Sequence, residues 1–285
     1  MMKWILSVVV LGLISGFIGL PAVAHGRLEA PLGVTSALPP GTGDAKRGGE
    51  LLQSTLVCTE CHGSDFGGKV MVDDPVFGRV VAPNLTRGRG GPGVRSLHAW
   101  DLGIRHGVGG DGRALVMMPS DSYASLSARD LRDVAAWLDA LVPVDRELPP
   151  TRLGPVGSVL MLTGKLRVAA WGIKHDEVPV SDAPVGDRGA YLVNVSGCRG
   201  CHGPNLEGHE VRPGAPWAPS LTAAALKAWT REDFSRALQK GVAKDGHALD
   251  ELMPWRAFAA LPEEDVAALW ATLRDERDVA PASRD

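Results

Sequence analysis

The pentapeptide Cys58-Thr59-Glu60-Cys61-His62 recurs in the same chain as Cys198-Arg199-Gly200-Cys201-His202. Cysteines three apart share one face of a helical turn, and a histidine four after the first lies on that face too. Two thiols so placed reach the two vinyl groups of one porphyrin, and the imidazole reaches its iron. A C-x-x-C-H turn therefore reads as a covalent haem attachment site. A redox dithiol needs neither the adjacent histidine nor a second copy. A zinc ribbon brings its two C-x-x-C knuckles within roughly 15–20 residues of each other, whereas Cys61 and Cys198 are domains apart. The expectation is two haem c groups, one attached through Cys58 and Cys61 with His62 on the iron, the other through Cys198 and Cys201 with His202.

A length of 285 residues suits two domains, one per haem. With 45% hydrophobic and 22% charged residues, each half can bury a core. The net charge of -3 leaves no basic stripe of the kind nucleic-acid binders carry. The four cysteines are all used by the two pentapeptides, so no disulfide framework and no spare thiol remains. Residues 1–24 read as a targeting segment: Lys3, an apolar run from Trp4 to Leu20, then Ala22-Val23-Ala24 in the A-x-A form of a cleavage site. The run is longer than the usual h-region of about 7–15 residues and close to the ~20 that span a bilayer. A retained membrane anchor through residues 4–24 is the rival reading. Either way the body lies outside the cytoplasm, in the periplasm, soluble or anchored to the cytoplasmic membrane.

Residues 25–43, rich in Pro, Gly and Ala, read as a tether. A first domain spans 44–145, with a short helix from Arg47-Gly48-Gly49 leading into the first haem turn. Gly63 to Ser96 is read as loop. A brief helix covers Trp100 to His106. The closing helix follows Leu126, with Ser127 and Asp130 in the form of an N-cap box and Leu131, Val134, Leu138 and Leu141 on one face. Residues 146–183 form a proline-rich connector whose apolar stretch, Val156 to Trp171, reads as a packing strap between domains or a patch for a partner. The second domain, 184–276, answers the first block by block before a tail at 277–285. Arg188-Gly189 matches Arg47-Gly48, Ala218-Pro219-Ser220-Leu221-Thr222 matches Ala82-Pro83-Asn84-Leu85-Thr86, Gly241-Val242 matches Gly107-Val108, and Asp245-Gly246 matches Asp111-Gly112. The order of these blocks marks an internal duplication.

The duplication nominates the sixth iron ligand. Met118-Pro119 and Met253-Pro254 occupy matching places, each followed by an aromatic residue (Tyr123, Phe258) and a leucine opening the last helix. Proline drives the residue before it out of helical geometry, so each methionine sits on extended chain. Its thioether is a soft iron ligand. Met117 is the local competitor; it lacks both the following proline and a repeat partner. His98, His106, His175, His209 and His247 do not recur at matched positions and read as surface or hydrogen-bonded residues. Arg105, Trp100 and Trp229 are candidate donors to haem propionates.

From C-x-x-C-H through A-P-N-L-T, G-V, D-G and M-P to an L-x-x-x-D-L closing helix, the pattern resembles class I cytochrome c domains. The resemblance covers roughly Asp44 to Leu141 and Gly186 to Leu273. It implies an all-α fold: two tandem cytochrome c-like domains, each an N-terminal helix crossing a C-terminal one over its haem. The layout is similar to dihaem cytochromes and to the cytochrome subunits of bacterial alcohol and gluconate dehydrogenases. That implies a carrier of single electrons between a periplasmic or membrane-bound dehydrogenase and a downstream cytochrome or oxidase. The alternative is a dihaem peroxidase, which needs an iron with an open position. The thiosulfate-oxidising dihaem cytochromes use a cysteine as axial ligand, and this chain has no fifth cysteine. One departure is expected to alter the helix crossing: Leu51 in the first domain stands where the second has Tyr191.

Overall fold

A computed structural model describes residues 19–211 and 215–275. The tail at 277–285 and most of the leader lie outside the described residues. Helix α1 occupies residues 19–29 and runs through the A-x-A tripeptide. The first repeat then contains α2 (Ala45–Ser54), α3 (Cys58–His62), β1 (Lys69–Asp74), β2 (Gly78–Ala82), α4 (Leu97–Ile104), α5 (Ser120–Tyr123) and α6 (Ala128–Asp139). The connecting stretch carries β3 (Arg152–Leu153), α7 (Pro155–Leu162) and a 3-10 turn at Ala169–Trp171. The second repeat contains α8 (Arg188–Val195), α9 (Cys198–His202), β4 (His209–Glu210), β5 (Trp217–Ala218), α10 (Arg231–Lys240), α11 (Trp255–Phe258) and α12 (Glu263–Arg274).

The architecture is mainly helical, as expected, with two small antiparallel sheets added, the lesser being the pair β4–β5 of the second repeat. The stretch read as loop holds the antiparallel hairpin β1–β2, and β3 extends it to three strands. The turn is closed by the Asp74 carboxylate, which accepts from Val76 N at 2.8 Å and Phe77 N at 2.6 Å. Its valines alternate over strands too short for periodicity to stand out from the flanking glycines.

Each repeat is closed by the crossing of its first and last helices, α2 on α6 and α8 on α12. The two crossings use the same chemistry. Asp44 and Asp187 cap α2 and α8. Arg47 pairs with Asp130 and Asp133, and Arg188 pairs with Asp265 at 2.7 Å. Gly48 lies on the Asp133 carbonyl and Gly189 on that of Ala268, so a Cβ at either would overlap backbone. Only glycine allows that approach. Ser127 caps α6 by accepting from Asp130 N at 3.1 Å, but the Asp130 carboxylate leaves the cap to bind Arg47.

These anchors correct the expected pairing of Leu51 with Tyr191. The stretch from arginine to first cysteine is one residue longer in the first repeat, so Leu51 answers Leu192 and Tyr191 answers Glu50. Leu51 and Leu192 are both buried in their own repeat. Tyr191 is instead buried in the core of the first repeat, with Leu126, Val134 and Tyr123. Its hydroxyl donates to Asp130 Oδ2 and accepts from Ser127 N at 3.2 Å.

The repeats touch reciprocally, α5 of the first against α8 of the second and α11 of the second against α2 of the first. The apolar strap does not lie between them. Met161, Val168 and Ala170 join Val108 and Ala114 of the first repeat around Ala24, Leu28, Leu32 and Val34. Ala24 is fully buried there, Arg27 stacks over Trp171 at 4.2 Å, and Glu29 pairs with Arg113.

Candidate haem attachment turns

In each repeat the two cysteines and the histidine sit on one five-residue helix, α3 or α9. The entry residue of both is left-handed, Val57 at φ 43° and Gly197 at φ 73°. Glycine takes that conformation freely, whereas a β-branched residue does so only under strain. Glycines at φ 77° and 85°, Gly63 and Gly203, end the two turns. No disulfide ties up any of the four cysteines. Before haem is attached, burial pushes the Cys58 thiol up to about 12 and the Cys198 thiol up to about 11.

The histidines are oriented by a contact that spacing alone does not reveal. His62 Nδ1 donates to the Pro83 carbonyl at 2.9 Å, and His202 Nδ1 to the Pro219 carbonyl at 2.7 Å. A ring that donates through Nδ1 keeps its Nε2 lone pair for a metal. Both rings are buried, and burial depresses their proton affinity, which favours the neutral, ligating form. The matched A-P-x-L-T blocks therefore orient the two histidines, a role legible in the sequence only as a repeated block. Each is tied down from both sides. Leu85 N bonds Phe66 O at 2.9 Å and Leu221 N bonds Leu206 O at 2.8 Å, with Phe66 and Leu206 both at positive φ. Asn84 Nδ2 further anchors the first loop to the Val144 carbonyl at 2.7 Å.

Met118 packs on the cluster that includes Cys58, and Met253 on the one that includes Cys198. The loops that carry them share one build. Gly107 and Gly241, both left-handed, precede the bridges Val108–Ala114 and Val242–Ala248. Pro119 and Pro254 adopt the same backbone, ψ 50° in each. Met117, the local competitor, is nearly half exposed and left-handed, at φ 61°. Two of the candidate propionate donors are committed elsewhere. Trp100 Nε1 donates to Asp139 Oδ1 at 3.0 Å, and Arg105 is buried against Asp101.

The residues present fit two haems. Each repeat offers a pair of free thiols, a buried imidazole whose Nδ1 is already satisfied, and a thioether in the same apolar cluster. Among the described residues no group of three or more His, Cys, Asp or Glu is placed to hold a bare metal ion.

No family model matches the chain. It is 30% identical over 268 residues to a protein of Cereibacter sphaeroides named diheme cytochrome c-type, covering 82% of this chain and 86% of that one. It is 28% identical over 264 residues to a nicotinate dehydrogenase subunit of Pseudomonas putida, covering 83% of this chain but 22% of that one. It is also 30% identical over 116 residues to the cytochrome c subunit of a quinone alcohol dehydrogenase of Gluconobacter oxydans, covering 37% and 24%. The chain thus matches the first relative nearly end to end and spans about a quarter or less of the other two. A full-length match to a two-haem protein, over a fold that builds the same attachment turn twice, has one reading: the chain belongs to the dihaem c-type cytochromes and carries two haem c groups.

Proposed function

We propose that this chain relays single electrons from a dehydrogenase outside the cytoplasmic membrane to a downstream cytochrome or oxidase, with no substrate chemistry of its own. The observation that carries this reading is the matched ligand supply. Cys58 and Cys61 would hold one haem with His62 and Met118 as its iron ligands, and Cys198 and Cys201 the other with His202 and Met253. A haem so held would supply one-electron redox chemistry, at a potential raised relative to His/His ligation. The protein's own part is to keep water and small molecules off the iron. His62 and His202 are locked in one tautomer by the Pro83 and Pro219 carbonyls, and the Met loops by the Gly107 and Gly241 turns. A peroxidase would need one repeat to leave a position open, and the two repeats are built alike.

The reciprocal contact of the repeats supports internal transfer. Val57, next to Cys58, packs on the core of the second repeat, and Gly197, next to Cys198, lies beside Ser122 of the first, so each attachment turn borders the other repeat.

The packing of Ala24 supports retention of the leader as an anchor. Cleavage after Ala24 would remove a fully buried residue from the middle of α1. Among the described residues no helix is long and apolar enough to cross a membrane, which leaves any span to the residues before α1. Intact mass decides the point: a mature chain starting at Met1 or Met2 supports the anchor, and one starting at His25 rejects it.

The relay itself is tested with small ligands. The native ferrous protein should leave carbon monoxide unbound on mixing, and the ferric protein cyanide. Rapid binding at either haem would overturn the reading.

A further inference from the structure

Two histidines that look solitary in the sequence meet in the fold. His106 follows α4, and His175 lies in the stretch before α8. Their rings stack at 5.2 Å, with Nδ1 facing Nδ1 at 2.9 Å. The outer nitrogens are also engaged. His175 Nε2 faces the Ala170 carbonyl at 3.0 Å, and His106 Nε2 faces Asp101 Oδ2 at 3.6 Å. Asp101 is fully buried, bonded to Arg105 Nε at 2.5 Å and to Ser36 Oγ at 2.5 Å. Arg105 Nη1 reaches across to the Pro179 carbonyl at 2.5 Å.

Hydrogen-bond chemistry counts the protons. His175 Nε2 faces a carbonyl at hydrogen-bond distance and so carries hydrogen, and the buried Asp101 carboxylate at 3.6 Å favours a hydrogen on His106 Nε2 by its charge. The inner pair then needs a single hydrogen between two nitrogens. Three hydrogens on four nitrogens is one more than two neutral rings possess and one fewer than two cations. With two neutral rings, one contact sets lone pair against acceptor. With two imidazolium rings, N–H faces N–H and like charges adjoin. Only the pair holding one extra proton satisfies every contact.

We propose that His106 and His175 form a one-proton clasp that fastens the connector to the first repeat, and that a second proton opens it. The clasp acts on the contact between repeats. The segment it fastens carries Pro179, held by Arg105, and Ser181, whose carbonyl accepts from Ala128 N at 2.8 Å at the start of α6. Helix α6 is in turn held by Tyr191 of the second repeat. The groups facing the pair are Asp101 and Arg105 from α4 and its end, and Asp176 beside His175. Burial and then the neighbouring His106 hold His175 below its ordinary value of 6.5. The sign follows. A ring kept neutral by the fold contributes stability that is complete above its unfolded value and is lost as pH falls through the depressed one.

The test is histidine nitrogen NMR on the ferrous, diamagnetic holoprotein, with backbone hydrogen exchange over residues 169–181 across pH. His106→Gln and His175→Gln assign the two rings. The expected result is a coupled titration, one proton shared near neutrality and the second taken up well below the ordinary histidine range. Protection of the segment should then fall by up to about tenfold per unit of pH between the ordinary value of 6.5 and that step, and level off below it. Independent titration of both rings near 6.5, or a protection profile unchanged by His175→Gln, would overturn the proposal. The wild-type titration needs no variant to fold and does not depend on which residues ligate iron.

Discussion

Replacing Tyr191 with phenylalanine removes one oxygen from the junction between the repeats. The ring stays, so the apolar burial of a side chain only 1% exposed is kept. Two bonds go. The hydroxyl no longer donates to the Asp130 carboxylate, a charge-assisted bond of roughly 1.5–3 kcal/mol. Ser127 N, buried at the start of α6, loses the oxygen it donates to at 3.2 Å, a penalty of roughly 1–3 kcal/mol if nothing replaces it. Arg47 still holds Asp130 through Nη2, which limits the first loss. Together these give about 3 kcal/mol, or a fall in Tm of about 6–12 °C for a chain of this size. Because Tyr191 belongs to one repeat and its partners to the other, the variant should also split the calorimetric transition of the holoprotein in two. Tyr123→Phe is the control. Its hydroxyl donates to the Leu56 carbonyl within the first repeat, so it should cost about 1 kcal/mol and leave a single transition. A double-mutant cycle of Tyr191→Phe with Asp130→Asn should return a coupling of about 1 kcal/mol or more. A Tyr191→Phe shift below about 2 °C with the transition intact would refute the claim that this residue joins the repeats.

Gly189→Val should cost more than about 3 kcal/mol in chemical denaturation, because its side chain would overlap the Ala268 carbonyl and Thr272; wild-type stability would mean that α8 and α12 are not so close. At Val57, glycine should be more stable than alanine by about 1 kcal/mol, since both lose the packing and only glycine relieves the left-handed backbone; the opposite order would reject the strain. Burial alone would raise Asp101, yet hydrogen bonds from His106, Arg105 and Ser36 bring it down to about 2. Its stabilisation is complete above the unfolded value of 3.8 and disappears as pH falls through about 2. Asp101→Asn should therefore lower stability at pH 5 and flatten the profile between about pH 4 and 2, and an unchanged acid limb would count against the buried pair.

The two attachment turns, the internal repeat and the methionine loops were legible because each is written as a local pattern and written twice. Ligand orientation was legible only in outline. The A-P-N-L-T block announced itself by repetition, but that it supplies a carbonyl to an imidazole depends on a fold that returns Pro83 to His62. The hairpin β1–β2 escaped because its strands are short and flanked by glycines, and the bulge between Val70 and Val72 that shifts its pairing is a property of the fold. Tyr191 was visible as an oddity and misassigned, since alignment on the cysteines slips by one residue before them. The His106–His175 pair gave no signal at all: the two lie far apart in the chain, and neither recurs in the other repeat.

The central claim is that both irons are closed on one face by a histidine and on the other by Met118 or Met253. The measurement that reaches it most directly is the sulfur-to-iron charge-transfer band of the ferric protein, quantified per haem in the wild type, Met118→Ala and Met253→Ala. Two equivalents in the wild type and one in each variant is the predicted result. A band that keeps its full strength in either variant, or that amounts to one equivalent or less in the wild type, would contradict it.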